Sequence, residues 1–349
     1  MSSTTVLTGR KTLPLTLGPL SLRVDTRAAW VVAALVLACL VLALLSLGLG
    51  DVFIPLRDVI GSFTGEAGRK ATVVVQQWRL GRVELALLFG FALGISGAIF
   101  QSLTRNPLGS PDVIGFSSGA YTGALILMLF TTASPLLLSL GSVVSGLVVA
   151  LVVLALSARD GTTGFRLIVV GIGVGAMLAS LNTYLLLRAK QQVAMSAAVW
   201  GAGSLNSVDA GVVVPAALAI LVCVAGALSL QRRARVMEDG EDLARSLGIN
   251  TQRVRYGLVV VGVALVAIPT AAAGPIAFVA LVAPQIAGRL TGRAGLDIFP
   301  AGCLGALLLL ASDTLARVAF SPIQLPVGVV TVCLGGAYLL FLLIKEARR

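Results

Sequence analysis

Trp78–Ala120 reads WRLGRVELALLFGFALGISGAIFQSLTRNPLGSPDVIGFSSGA. Arg79 and Arg82 stand three apart and share a face on a helix. From Val83 to Leu103 the only charge is Glu84, and a helix over that run rises about 30 Å, the depth of a bilayer's hydrocarbon core. Within it Gly90, Gly94 and Gly97 recur at spacings that let helices approach closely in lipid. The run ends at Thr104 and Arg105, and Asn106-Pro107-Leu108-Gly109-Ser110-Pro111 forbids a continuous helix. A second apolar run restarts at Val113. A glycine-packed helix, a hard break and immediate re-entry predict a bundle that contains a path.

Outward from this stretch the composition agrees. The 349 residues are 57% hydrophobic and 12% charged, with mean hydropathy +1.00. No soluble globular class has that balance, and the fold class is an all-α polytopic membrane protein. Net charge +11 does not argue for nucleic acid, because the basic residues sit between apolar runs, where membrane topology accounts for them. Histidine is absent, and Cys39, Cys223, Cys303 and Cys333 each lie in a different apolar run, so neither a disulfide framework nor a metal cluster is expected. The first apolar run begins near Ala28 and is too long for the core of a cleavable signal peptide.

The length rule places spans at about 28–49, 83–104, 113–131, 135–156, 166–187, 210–230, 256–273, 276–290, 298–316 and 326–344. Pro275 and Pro284 make the 276–290 segment a doubtful full crossing. Residues 1–27 form a polar, basic and irregular N-terminal tail, 28–344 the transmembrane domain, and 345–349 a C-terminal tail. The mixed segment 51–77 is expected to lie along one surface. With both termini cytoplasmic, eighteen of the 26 Lys and Arg fall inside and eight outside. That is the asymmetry of the positive-inside rule, and the inverted orientation violates it.

The longest inside connection, 231–255, carries most of the loop charge. Within it Glu241–Leu247 (EDLARSL) predicts a short amphipathic helix, acidic at its start and stopped by Gly248. Leu243, Ala244 and Leu247 are expected to share an apolar face, suited to a solvated loop helix or to a docking surface for a cytoplasmic partner.

Other motifs dissolve on inspection. Gly171, Gly173 and Gly175 follow LIVV and imitate a dinucleotide fingerprint, but inside a membrane-length run with no acid at the ribose distance; helix packing by glycine is the better account. GxxxxGK[ST] is absent, so the chain is not itself a P-loop ATPase, and without histidine no catalytic nucleophile–base pair is visible. Bare metal cations would need carboxylates, thiolates or imidazoles converging at mid-membrane. The spans offer Asn182, Gln101, Ser117, Ser118, Thr183 and glycine, a lining for a bulky, neutral or delocalised solute. Asp313 and Arg317 lie four apart and can pair within one helix.

RNPLGSPDVIGFSSGA (105–120), GEDLARSLGI (240–249), AGPIAFVALVAPQIAGRLTG (273–292) and LPVGVVTVCLGGAYLLFLL (325–343) resemble the iron-siderophore and cobalamin importer permeases of the ABC superfamily. The likeness runs from about Ala28 onward. FRLIVVGIGVGAM and WGAGSLN (200–206) are most similar to the ferric enterobactin branch. The resemblance implies a type II ABC importer permease fold of ten spans and no cofactor. It also implies a second permease subunit (a paralogue in that branch), two cytoplasmic P-loop ATPases and an extracytoplasmic siderophore-binding protein, in a bacterial cytoplasmic membrane.

By the same resemblance Gly240, Glu241, Leu243, Ala244, Arg245, Leu247 and Gly248 match the ATPase-coupling segment, Arg79, Arg82 and Arg317 match arginines that dock the binding protein, and Thr162 and Thr163 match a cytoplasmic gate loop. The sequence departs at Gly81, where proline is usual, and at Gln285 and Gly288, where histidine and alanine are usual. Haem or cobalamin as cargo keeps the architecture. An ion-coupled secondary transporter would need intramembrane acids or histidines, which are nearly absent.

Overall fold

The computed structural model describes residues 12–17, 20–132, 134–157, 164–206, 208–293, 295–319 and 323–347. Thr162 and Thr163 lie outside them. The N-terminal tail is not wholly irregular: β1 (Thr12–Leu17) pairs antiparallel with β2 (Leu20–Asp25). Every other regular element described is helical. Asp25 caps α1 (Thr26–Gly48) by accepting the Arg27 N–H, satisfying a donor the helix leaves open.

The segment after α1 corrects the expectation of one surface stretch. Only α2 (Leu56–Thr64) is a separate surface helix, ended by Gly65 at φ 82°. From Arg69 the chain already climbs into the second span: α3 (Arg69–Thr72), a π-helical stretch over Val73–Arg79, then α4 (Leu80–Thr104). Val73–Val75 and their neighbours were too mixed in polarity to be read as part of the crossing.

α5 (Phe116–Phe130), α6 (Pro135–Ser157) and α7 (Gly164–Arg188) follow. α8 (Gln191–Gly201) is a short helix that hydropathy missed, because it falls below spanning length. α9 (Val213–Asp239) runs well past its apolar part, so the first half of the 231–255 connection is helix rather than loop. α10 (Glu241–Ser246), α11 (Thr251–Ala273), α12 (Val279–Thr291), α13 (Ile298–Val318) and α14 (Val327–Ala347) complete the order. Each expected span thus has its helix. Among the described residues seven helical stretches are long and apolar enough to cross a membrane, α5 and the Val327–Leu342 part of α14 are shorter apolar helices, and α12 has only 13 residues, as its prolines forewarned.

α4 is the hub. Its span is 78% buried within the chain, against 17% for α1, α7 and α9, whose apolar faces remain open. Glycine is the reason. A Cβ placed on Gly90 would stand 2.4 Å from the Gly305 carbonyl oxygen, on Gly94 2.2 Å from that of Ala301, and on Gly97 1.7 Å from that of Ala280. α4 therefore touches α13 and α12 backbone to backbone, where dispersion and interhelical polar contacts replace the hydrophobic effect. Ser96 adds one such contact, donating to the Gly262 carbonyl of α11 at 2.7 Å.

The glycines of α7 behave differently. Gly173 and Gly175 have nothing within 4 Å of a would-be Cβ. Within the described residues they meet no neighbouring helix and pave an open face.

Candidate functional site

Three groups of residues converge, two at opposite ends of α4. Along a helix rising 1.5 Å per residue, Arg82 and Arg105 lie about 35 Å apart.

At the N-terminal end stand Arg79 and Arg82, which share a helix face by their spacing, and the structure brings Arg317 to them. Arg79 is 8% exposed and donates to the carbonyls of Leu47 at 2.8 Å and Val52 at 2.6 Å, binding the end of α1. Arg82 grips Asp313 through Nε at 2.9 Å and Nη2 at 2.8 Å, and reaches Gln324 Oε1 at 3.1 Å. Arg317 approaches the same carboxylate at 3.3 Å from one turn away and also donates to Ser46. Asp313 itself has no exposed surface. A cavity of about 220 Å³ opens beside the cluster, walled also by Asp51, Trp78 and Asn206. The arginines are thus not a freely exposed patch: their own chain already neutralises part of their charge and holds their planes.

At the other end α10 sits against α9 and α11. Its acids open it and Gly248, at φ 77°, closes it, with the Ile249 N–H returning to the Ala244 carbonyl at 2.9 Å. Glu241 pairs with Arg255, and with Arg245 at 3.5 Å. The expected apolar face divides. Ala244 is fully buried against its own subunit, whereas Leu243 and Leu247 are 50% and 64% exposed. Leu243 on α10 and Leu247 at its C-cap thus stand open to solvent beside charged neighbours.

The third group lies between α5, α7 and the break before α12. Ser110, Asp112, Ser117, Ser118, Tyr121, Asn182 and Thr183 line a cavity of about 500 Å³, together with Pro275, Ala277 and Phe278 from the break. Four of the polar residues singled out as path lining meet here; Gln101 does not, and instead donates to the Leu281 carbonyl at 2.9 Å. Asp112, in the 3-10 turn Pro111–Ile114, accepts from the Ser117 hydroxyl. Loss of water holds its carboxyl above the ordinary range, with that hydrogen bond offsetting part of the rise. Phe278 occupies left-handed space at φ 69°, a strained conformation for a bulky residue.

The break itself is fixed by three glycines from the most family-like motifs. Ser204 N–H donates to the Ala273 carbonyl at 2.7 Å and Gly328 N–H to that of Gly203 at 3.0 Å. A Cβ on Gly274 would lie 2.3 Å from the Trp200 carbonyl oxygen, and one on Gly328 1.7 Å from that of Ala202. WGAGSLN, AGPI and LPVG therefore form one junction, invisible in sequence because its parts are far apart. Trp200 also stacks on Tyr121, with centroids 6.4 Å apart.

The three departures gain a local reason. Any Cβ at position 81 would lie 2.7 Å from Ala210 Cβ, which disfavours proline as it does every other side chain. Gln285 donates to the Pro107 carbonyl at 2.8 Å, tying α12 to the break after α4. At Gly288 a methyl would sit 3.0 Å from the Arg293 carbonyl oxygen. Among the described residues no three His, Cys, Asp or Glu gather as a metal site.

The profile of the FecCD transport family matches residues 37–345. The chain belongs to the FecCD transport family. It is 49% identical over 300 residues to the ferric enterobactin transport system permease protein FepG of Escherichia coli K12, covering 86% of this chain and 91% of that one. It is 33% identical to the hemin transport system permease protein HmuU of Yersinia pestis, over 77% of this chain and 82% of that one. Among solved structures, an inward-facing metal-chelate type ABC transporter superposes with TM-score 0.77 at 24% identity, covering 91% of this chain and 99% of that one. That likeness speaks for the fold alone. As a FecCD member the chain is a multi-pass membrane transport subunit and not an enzyme.

Proposed function

We propose that this chain is the permease subunit of an ABC importer that carries a ferric siderophore of the catecholate class, enterobactin-like, across the bacterial cytoplasmic membrane. ATP hydrolysis on two separate P-loop subunits drives it, and an extracytoplasmic binding protein delivers the cargo. The observation that carries this is the 49% identity to the ferric enterobactin permease over nearly the whole chain, against 33% to the hemin permease. The cavity lining is hydroxyls, the Asn182 amide and a single carboxylate, Asp112, already engaged by Ser117; one carboxylate is too few to strip and relay the metal, which favours passage of the intact chelate.

In this account Leu243 and Leu247 on α10, between Gly240 and Gly248, contact the ATPase. Arg79, Arg82 and Arg317 receive acidic groups of the binding protein, and Thr162 and Thr163 form the cytoplasmic gate. The bias of basic residues sets both termini inside. The open faces of α7 and its glycines face a second permease subunit, a paralogue of this one. Restoring growth of a deletion strain under iron limitation tests the cargo. Ferric catecholates should restore it with the intact gene, and haem or cobalamin as sole effective cargo would refute the assignment.

A further inference from the structure

The cavity between α5, α7 and the α12 break contains hydrogen-bonding groups that do not balance. Asn182 is 5% exposed, and its Oδ1 finds no donor among the described residues. Buried amide oxygens are normally paired, because losing water without a new donor is costly. Two other lining residues have committed their protons elsewhere: the Ser117 hydroxyl donates to Asp112, and the Thr183 hydroxyl to the Ala179 carbonyl at 3.0 Å. Each of these oxygens retains acceptor capacity. No lysine or arginine lines the cavity, so an anion brought there would shed water and meet no cation. Phe278, which lines the same cavity, is held in the left-handed region at the break, the kind of stored strain found at ligand clamps. The volume falls within the range of small-ligand pockets.

We propose that this cavity is a subsite, contained within one permease subunit, for a neutral N–H- or O–H-bearing arm of the chelate, with Asn182 as its anchoring acceptor. It rests on the importer function proposed above and adds which part of the cargo this subunit reads. Recognition by the buried Asn182 oxygen penalises a chelate whose arms lack donors, since that oxygen then stays unpaired.

The test uses the complete importer in proteoliposomes, loaded from its binding protein with a ferric chelate or with the same chelate methylated at its peripheral N–H and O–H groups. Asn182→Leu is the informative variant: it keeps the branching and heavy-atom count of the side chain and replaces the whole amide, removing Oδ1, which has no partner among the described residues, together with the Nδ2 donors. A merely structural Asn182 would leave transport unchanged or improve stability. The subsite predicts that Asn182→Leu lowers uptake of the donor-bearing chelate about tenfold, the effect of losing a hydrogen bond or two. The methylated chelate should move at the unaltered rate, with basal ATP hydrolysis retained. Ser117→Ala, which also withdraws an acceptor, should show the same selective loss in smaller degree. Equal rates for both chelates in both variants, or equal losses for both chelates, overturn the subsite while leaving the importer function standing. A wild-type importer that moves no ferric chelate overturns the function as well.

Discussion

Asp313, with no exposed surface, receives Arg82 at 2.8 Å from a helix 231 residues away in sequence. The same carboxylate holds Arg317 one turn along its own helix. One buried anion thus organises two of the three arginines assigned to docking. Removing it strands two guanidinium groups in a water-poor setting. Asp313→Asn should therefore destabilise the detergent-solubilised protein by about 3–5 kcal/mol. Pairing it with Arg317→Met should recover part of the loss. A thermal unfolding midpoint unchanged by Asp313→Asn would show that the cluster is hydrated and its pairs dispensable.

The docking role makes a separate prediction, because Arg79 and Arg317 also hold the end of α1. Replacing Arg82 with glutamine, with Asp313→Asn alongside to keep local charge matched, should weaken binding-protein association severalfold at low salt. It should also flatten its salt dependence. The measurement is a binding titration at several ionic strengths. Unchanged affinity at low salt would assign the arginines to architecture alone.

At the coupling end, Leu243→Asp with Leu247→Asp should leave the fold intact, since both side chains are at least half exposed. It should abolish uptake and substrate-stimulated ATP hydrolysis by placing unpaired charge in the ATPase contact. Ala244→Leu should do the reverse: it overpacks a fully buried position and costs about 1–3 kcal/mol of stability. Normal uptake by a well-expressed double aspartate variant would remove α10 from the coupling path.

Glycines on α4 and α7 give a matched pair. Gly97→Ala drives a methyl to 1.7 Å from the Ala280 carbonyl oxygen and should prevent normal folding of the isolated subunit. Gly173→Ala meets nothing within the chain and should leave that fold alone. Any effect of Gly173→Ala should appear only in assembly with the second subunit, read by co-purification. An unfolded Gly173→Ala subunit would place an unseen contact on that face.

Much of this was legible in the residues. Apolar runs located a helix for each of the ten expected spans, and the Gly90–Gly97 spacing marked the hub, because both signals are local. The helical lead-in to α4 over residues 69–77 does not show in the hydropathy, because Arg69, Lys70, Gln76 and Gln77 lower its mean. The splitting of Ala244 from Leu243 and Leu247 depends on how α10 sits against α9 and α11, which periodicity does not encode. The Gly203–Gly274–Gly328 junction and the gathering of Asn182 with Ser117 required three-dimensional closure. Arg82 with Asp313 is the same case: the chemistry of each residue was apparent, the partnership was not.

The central claim is that this subunit passes a ferric chelate intact. Uptake by proteoliposomes holding the full importer, with a catecholate chelate labelled separately on the metal and on the chelator, tests it most directly. A substitution-inert metal serves as control, so that exchange cannot mimic transport. Both labels should enter together, in equal amounts, only with ATP and binding protein, and the inert chelate should enter as well. Entry of metal with the chelator left outside, or exclusion of the inert chelate, would contradict the account.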